Sequence, residues 1–152
     1  MTGNVKTVLD KSTREELINR IKTLNENCTA RWGKMTVYQM TKHCSLWEDM
    51  AQGRKQYPRV FIGRIFGKVA LKSILKDDSP LRRNTPTIPE LKVSGEGNIE
   101  AQKSEWIAKI EHYAQVSNLQ LIHPFFGKMT TEQIGLMDYK HIDHHLRQFG
   151  VS

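Results

Sequence analysis

Among the tetrapeptides of the form Ser/Thr-x-x-Glu/Gln in this chain, three open apolar runs with helical spacing: Ser12-Thr-Arg-Glu15, Thr36-Val-Tyr-Gln39 and Thr130-Thr-Glu-Gln133. In such a capping box the hydroxyl accepts from the backbone N–H three residues on, and the longer side chain reaches back to the first residue's own N–H. Two donors orphaned at a helix start are thereby satisfied. Apolar residues follow each box at helical steps of three and four. Leu17, Ile18, Ile21 and Leu24 predict a first helix over about 13–27. Met40, Cys44, Trp47 and Ala51 predict a second over about 36–52, stopped by Gly53. The third box opens a helix that runs to about Phe149. Ile99, Trp106, Ile107, Ile110, Tyr113 and Ala114 form the inward row of another, over about 98–117. Residues 77–97 hold Pro80, Pro86, Pro89, Gly95 and Gly97 and read as a long irregular crossover. No strand-like alternation competes. The expectation is all-α: a four-helix bundle with one long crossover, residues 1–152 forming a single domain.

The crossover region also concentrates the charge. The chain carries a net +7, and Arg54–Arg83 alone supplies it with nine Lys/Arg against Asp77 and Asp78, while the remainder is balanced. Within it, Arg59–Lys76 is amphipathic. Arg64, Lys68, Lys72 and Lys76 form a basic stripe, and Phe61, Ile65, Phe66 and Val69 are expected to pack over one end of the bundle. Gly63 and Gly67 weaken it as a helix. A second reading makes the segment a wall near the functional site, where cations hold substrate carboxylates. Without interleaved exposed aromatics, nucleic acid is not an expected partner. No apolar run approaches the ~20 residues that span a bilayer, and the start, Met1-Thr-Gly-Asn-Val-Lys-Thr-Val, has no apolar signal region. The expected setting is cytoplasmic, without membrane, with Cys28 and Cys44 as reduced thiols. Exposed helix faces make a homodimer plausible.

The candidate chemistry lies in histidine. His141, His144 and His145 fall within five residues of the last predicted helix, and His141 lies one turn from either of the other two. A neutral imidazole is a common ligand for transition metals. An internal echo locates a third candidate donor. Gly33-Lys-Met-Thr-Val-Tyr-Gln39 and Gly127-Lys-Met-Thr-Thr-Glu-Gln133 share the pattern GKMTxxQ, and each opens a helix carrying histidine. Counted from the capping threonine at roughly 100° per residue, His43, His141 and His145 fall near −20°, +20° and +60°. All three leave their helices in the same sector, and a two-fold between those helices would set the sectors facing. Spacing alone does not choose between His144 and His145. Cys44, adjacent to His43, points elsewhere and reads as a packed small residue. His112 reads as surface and His123, before Pro124, as a loop cap. Asp138 and Asp143 read as solvated helix charges with the option of orienting an imidazole.

His141-Ile-Asp-His-His-Leu-Arg-Gln148 resembles the HxxHHxxQ signature on the last helix of the DinB/YfiT-like superfamily. Trp32-Gly-Lys-Met-Thr-Val-Tyr-Gln-Met-Thr-Lys-His43 resembles the second-helix segment that ends in that superfamily's first metal ligand. His123-Pro-Phe-Phe-Gly127 and His-His-Leu-Arg-Gln-Phe-Gly150 look like one branch of it, and the resemblance covers about residues 12–150. It implies a four-helix bundle with a three-histidine site for a divalent metal, zinc or nickel, on His43, His141 and His145, with His144 beside the site. Members of that superfamily include thiol transferases that use low-molecular-weight thiols such as bacillithiol or mycothiol. The implied function is therefore a metal-dependent enzyme acting on a small-molecule substrate: a metal-activated thiol or water, S-transfer or hydrolysis. No general base is evident among Glu48, Asp143 and His144, and the alternative is a non-catalytic metal-binding or stress-response module.

Overall fold

The computed structural model describes residues 5–152. They form five α-helices, two short 3-10 turns and one small hairpin: α1 Lys11–Lys22, α2 Val37–Ala51, α3 Phe61–Leu75, α4 Ile99–Glu111 and α5 Thr131–Gln148, with β1 Leu121–His123 and β2 Gly127–Met129 between α4 and α5. Helix α1 packs on α4 and α5, and α2 on the same two. The core between them holds Leu17 and Ile21, Met40, Cys44 and Trp47, Trp106 and Ile110, and Ile134, Ile142 and Leu146. None of the five helices is long and apolar enough to cross a membrane.

Two of the three capping boxes close. Thr36 and Thr130 accept from the backbone N–H of Gln39 and Gln133, each at 3.2 Å, and both glutamines return the bond. The echo extends to the backbone before the caps. Gly33 and Gly127 both take left-handed conformations, φ 77° and 78°, and the two threonines share φ and ψ within two degrees. The first box does not form. Helix α1 begins at Lys11 behind Asp10, which places Ser12 inside the first turn. The Arg14 guanidinium bonds instead to the carbonyls of Val8 and Leu9, at 2.8 and 2.7 Å. The same helix ends at Lys22, short of the expected 27, where Thr23 Oγ1 bonds back to the Arg20 carbonyl and Asn25 turns the chain. Such local side-chain bonds compete with helix continuation.

The helix expected over 98–117 ends at Glu111 and tightens into a 3-10 turn over His112–Gln115, which leaves His112 and Ala114 exposed. The hairpin is a departure from the all-helical expectation. Leu121 pairs with Met129 and His123 with Gly127, and the His123 Nδ1 caps the loop by accepting from the N–H groups of Phe125 and Phe126. His123 is thus a loop cap, as its place before Pro124 suggests.

Helix α3 reverses its expected orientation. Its buried side is Gly63, Gly67 and Leu71. A Cβ at either glycine would collide with the Phe125 carbonyl oxygen, so the helix backbone lies directly on the hairpin loop. Phe61, Ile65, Phe66 and Val69, expected to pack over the bundle, face outward at 77, 59, 55 and 72% exposure. The absent side chains decide the outcome. Close backbone approach needs glycine on the contact side, and the two glycines are aligned one turn apart on it.

Candidate metal centre

His43 comes from the middle of α2, and His141 and His145 from successive turns of α5. All three are buried, and one ring nitrogen from each falls within 4.8 Å of the other two. The His43 and His141 Nε2 atoms are 3.2 Å apart. Ligands at the usual 2.0–2.1 Å from a tetrahedral zinc lie roughly 3.3 Å from each other. The short edge therefore already has the length that a shared cation requires.

Hydrogen bonds fix which nitrogen each ring offers. The His43 Nδ1 faces the Leu91 carbonyl at 2.8 Å, and a carbonyl only accepts, so Nδ1 carries the hydrogen and Nε2 a lone pair. The Gln148 amide donates to the Trp32 carbonyl at 2.9 Å, which turns its oxygen toward His145 Nδ1 at 2.7 Å. That nitrogen donates in turn, and the lone pair of His145 also sits on Nε2. These are the outer bonds that hold a metal-ligating imidazole in one tautomer. His141 stacks on Trp47 with ring centroids 4.7 Å apart, and its Nδ1 is buried without any partner. Two lone pairs thus converge on a third ring that carries an unsatisfied nitrogen. Left without a cation, this arrangement costs free energy.

Burial disfavours the charged rings. It lowers the pKa of His43, against a smaller pull upward from the Leu91 carbonyl. It drives His141 and His145 well below the ordinary range, with the neighbouring imidazoles adding to the effect. All three are neutral at neutral pH, the form that ligates. The donor set and its tautomers fit a divalent ion, and a three-histidine site leaves further coordination positions for other ligands. Among the described residues no cysteine or carboxylate joins this cluster. Cys44 is fully buried beside Met40, a packed side chain as its position predicted.

The structure therefore brings together the three histidines named from the sequence and leaves His144 outside. His144 is half-buried between the Trp32 ring, at 5.4 Å, and the His145 ring, at 5.0 Å. Two residues depart from expectation. Asp143 is buried and held by Arg20 at 2.9 Å and Arg147 at 2.8 Å, so it is neither a solvated charge nor a free base. Asp138 is wholly buried, as is Glu48, and the Tyr113 hydroxyl donates to Glu48 Oε2 at 2.9 Å. Burial raises both carboxyls, Asp138 to about 7, and the approach of the two adds to the rise at Glu48. This acid pair belongs to the buried core. Its trace in the sequence is an acid inside each apolar row: Glu48 one turn after Cys44, and Asp138 one turn after Ile134.

Neither a curated protein nor a solved structure matches the chain. Residues 4–151 match the family described as "Protein of unknown function (DUF1569)", and the chain belongs to that family.

Proposed function

We propose that this protein is a metal-dependent enzyme of the DinB/YfiT-like kind, a four-helix bundle of α1, α2, α4 and α5 with α3 as an added helix. His43, His141 and His145 would hold zinc or nickel, and the substrate would be a small molecule, a low-molecular-weight thiol in the first instance. The observation that carries this reading is the convergence of two tautomer-fixed Nε2 lone pairs on a buried third imidazole. A bound divalent cation lowers the pKa of a thiol or water at its open position and so supplies a nucleophile at neutral pH. In S-transfer the thiol would give up its proton to solvent by way of His144, its sulfur would bond to an electrophilic carbon, and the leaving group would depart with the bonding pair.

The chain's own residues hold the ligands still. Leu91 and Gln148 orient two imidazoles through their Nδ1–H groups, and Trp47 backs the third. Glu48 and Asp143 are committed elsewhere, which leaves His144 as the candidate proton acceptor nearest the site. One observation favours the alternative of a non-catalytic metal-binding module: the ligands are between 5 and 7% exposed, a small opening for substrate. Loading purified protein with zinc or nickel and assaying thiol transfer to a soluble electrophile separates the two. Turnover that depends on the metal is the expected result; none with either metal, across several small thiols, would assign the module instead.

A further inference from the structure

The segment before α2, the crossover and the end of α5 meet in a groove of about 210 Å³ walled by Arg31, Trp32, Arg83, His144 and Arg147 among others. Three guanidinium groups border a small volume. Asp143 partners Arg147, but Arg31 and Arg83 enter no ion pair among the described residues. The Arg83 guanidinium lies 4.2 Å over the centroid of the Trp32 ring, which positions a planar cation without neutralising it. The Trp32 indole N–H is buried without an acceptor. On its other side the groove reaches the candidate metal centre through one ring, His144.

We propose that this groove is the subsite for the anionic arm of the substrate. A carboxylate or phosphate oxyanion sits between Arg31 and Arg83, and the reacting end of the same molecule extends past His144 toward the three histidines. Guanidinium groups match planar oxyanions with paired donors. The proposal rests on the metal-dependent reading above, and it gives the acidic character of small thiols a specific place.

The test is a tryptophan-fluorescence titration of the full-length protein with succinate and, separately, with inorganic phosphate at constant ionic strength. Trp32 is the reporter. A saturable change is expected, absent in Trp32→Phe, and the anion that saturates names the oxyanion. Arg31→Gln and Arg83→Gln should each raise the apparent Kd by about tenfold or more, as loss of a bond to a charged group does, with bound metal unchanged. An undiminished response in the double variant, or one that merely follows sodium chloride, overturns the proposal. Anion binding with intact metal but no thiol transfer would sink the reaction and leave the groove standing. Full turnover in the double variant would do the reverse.

The outer face of α3 independently points to a second partner. Phe61, Ile62, Ile65, Phe66 and Val69 are all more than half exposed. Arg64, Lys72 and Lys76 flank this row, the Lys68 ammonium between them donates to the Lys128 carbonyl, and no acid occurs between residues 54 and 76. Pairing α3 with its copy in a second chain would set two such cationic rows together, a cost in any two-fold contact. An anionic bilayer surface satisfies both halves of the pattern. We infer that α3 lies in the interfacial plane of such a membrane, its apolar row at the acyl boundary and its cations on lipid phosphates. The sequence expectation of no membrane partner takes this row to pack over the bundle, whereas it faces outward, and an interfacial helix needs no spanning segment.

Flotation of the full-length protein with vesicles of phosphatidylcholine alone, and of phosphatidylcholine with phosphatidylserine, tests this. Binding should require phosphatidylserine, weaken in high salt, and fall several-fold in a Phe61→Ser/Phe66→Ser variant, whose changes lie on the exposed face. No flotation with phosphatidylserine, or undiminished flotation of the variant, overturns it. A dimer in sedimentation equilibrium that the same variant dissociates would assign the face to a second copy of the chain.

Discussion

Replacing His145 by alanine is expected to take bound metal from about one ion per chain to almost none. The His145 Nε2 is one of only three nitrogens in the cluster, and nothing nearby replaces it among the described residues. His144 is the adjacent imidazole, but it stands on the groove side, between His145 and Trp32. His43→Ala should have the same effect from the other helix. The outer bond gives a graded control. Gln148→Leu removes the acceptor that holds His145 Nδ1–H and should weaken metal binding by about 10–100-fold without abolishing it. His144→Ala should leave stoichiometry intact. Elemental analysis after dialysis against metal-free buffer, with circular dichroism to show that each variant is folded, reads all four. Stoichiometric metal retained in both His43→Ala and His145→Ala would remove these residues as ligands.

The second large effect lies in the core. Burial raises the Asp138 carboxyl to about 7, so the folded protein keeps a proton that the unfolded chain releases near the ordinary carboxyl pKa of about 4. The sign follows from that difference. A state that binds more protons is favoured at low pH, so the contribution of Asp138 to stability is complete below about pH 4 and is lost as pH rises toward about 7. The slope approaches about 1.4 kcal/mol per pH unit for one proton. Glu48, raised by the same burial and by Asp138 itself, acts in the same direction. The buried histidines act oppositely, because their lowered pKa values cost stability as pH falls. Comparing wild type with Asp138→Asn removes that background. In urea melts of the metal-free proteins, the stability of wild type relative to the variant should fall steadily across this window and level off above it. A difference independent of pH would show that Asp138 is ionised in the folded state.

These two sites mark what sequence reasoning reached and where it stopped. The capping boxes at Thr36 and Thr130 were legible because every atom in them comes from four consecutive residues. The three-histidine cluster was legible in part. Offsets from the two caps brought His43 level with the α5 histidines, but only resemblance separated His145 from His144. The box at Ser12 misled because a competing contact, Arg14 on the preceding carbonyls, is local but carries no motif. The acid pair was hidden for a different reason. Glu48 and Asp138 lie ninety residues apart, so Asp138 reads as a solvated helix charge and Glu48 as a lone candidate base until the two helices are placed face to face. The arginine groove is assembled from three separate segments, so no window of sequence contains it. The hairpin strands, three residues each, are too short to alternate.

Helix α3 is fastened to α5 at both ends. Its glycines lie on the loop whose second strand, β2, runs into the Thr130 cap, and at its far end the Lys140 ammonium binds the carbonyls of Ile74 and Ser79 at 2.7 and 2.8 Å. Lys140 immediately precedes His141. Tied at these two points, α3 and the start of the histidine-bearing half of α5 are expected to open together, which amide hydrogen exchange of the two helices checks. An event that frees α3 from its hairpin would then be felt in the turn of α5 that carries His141.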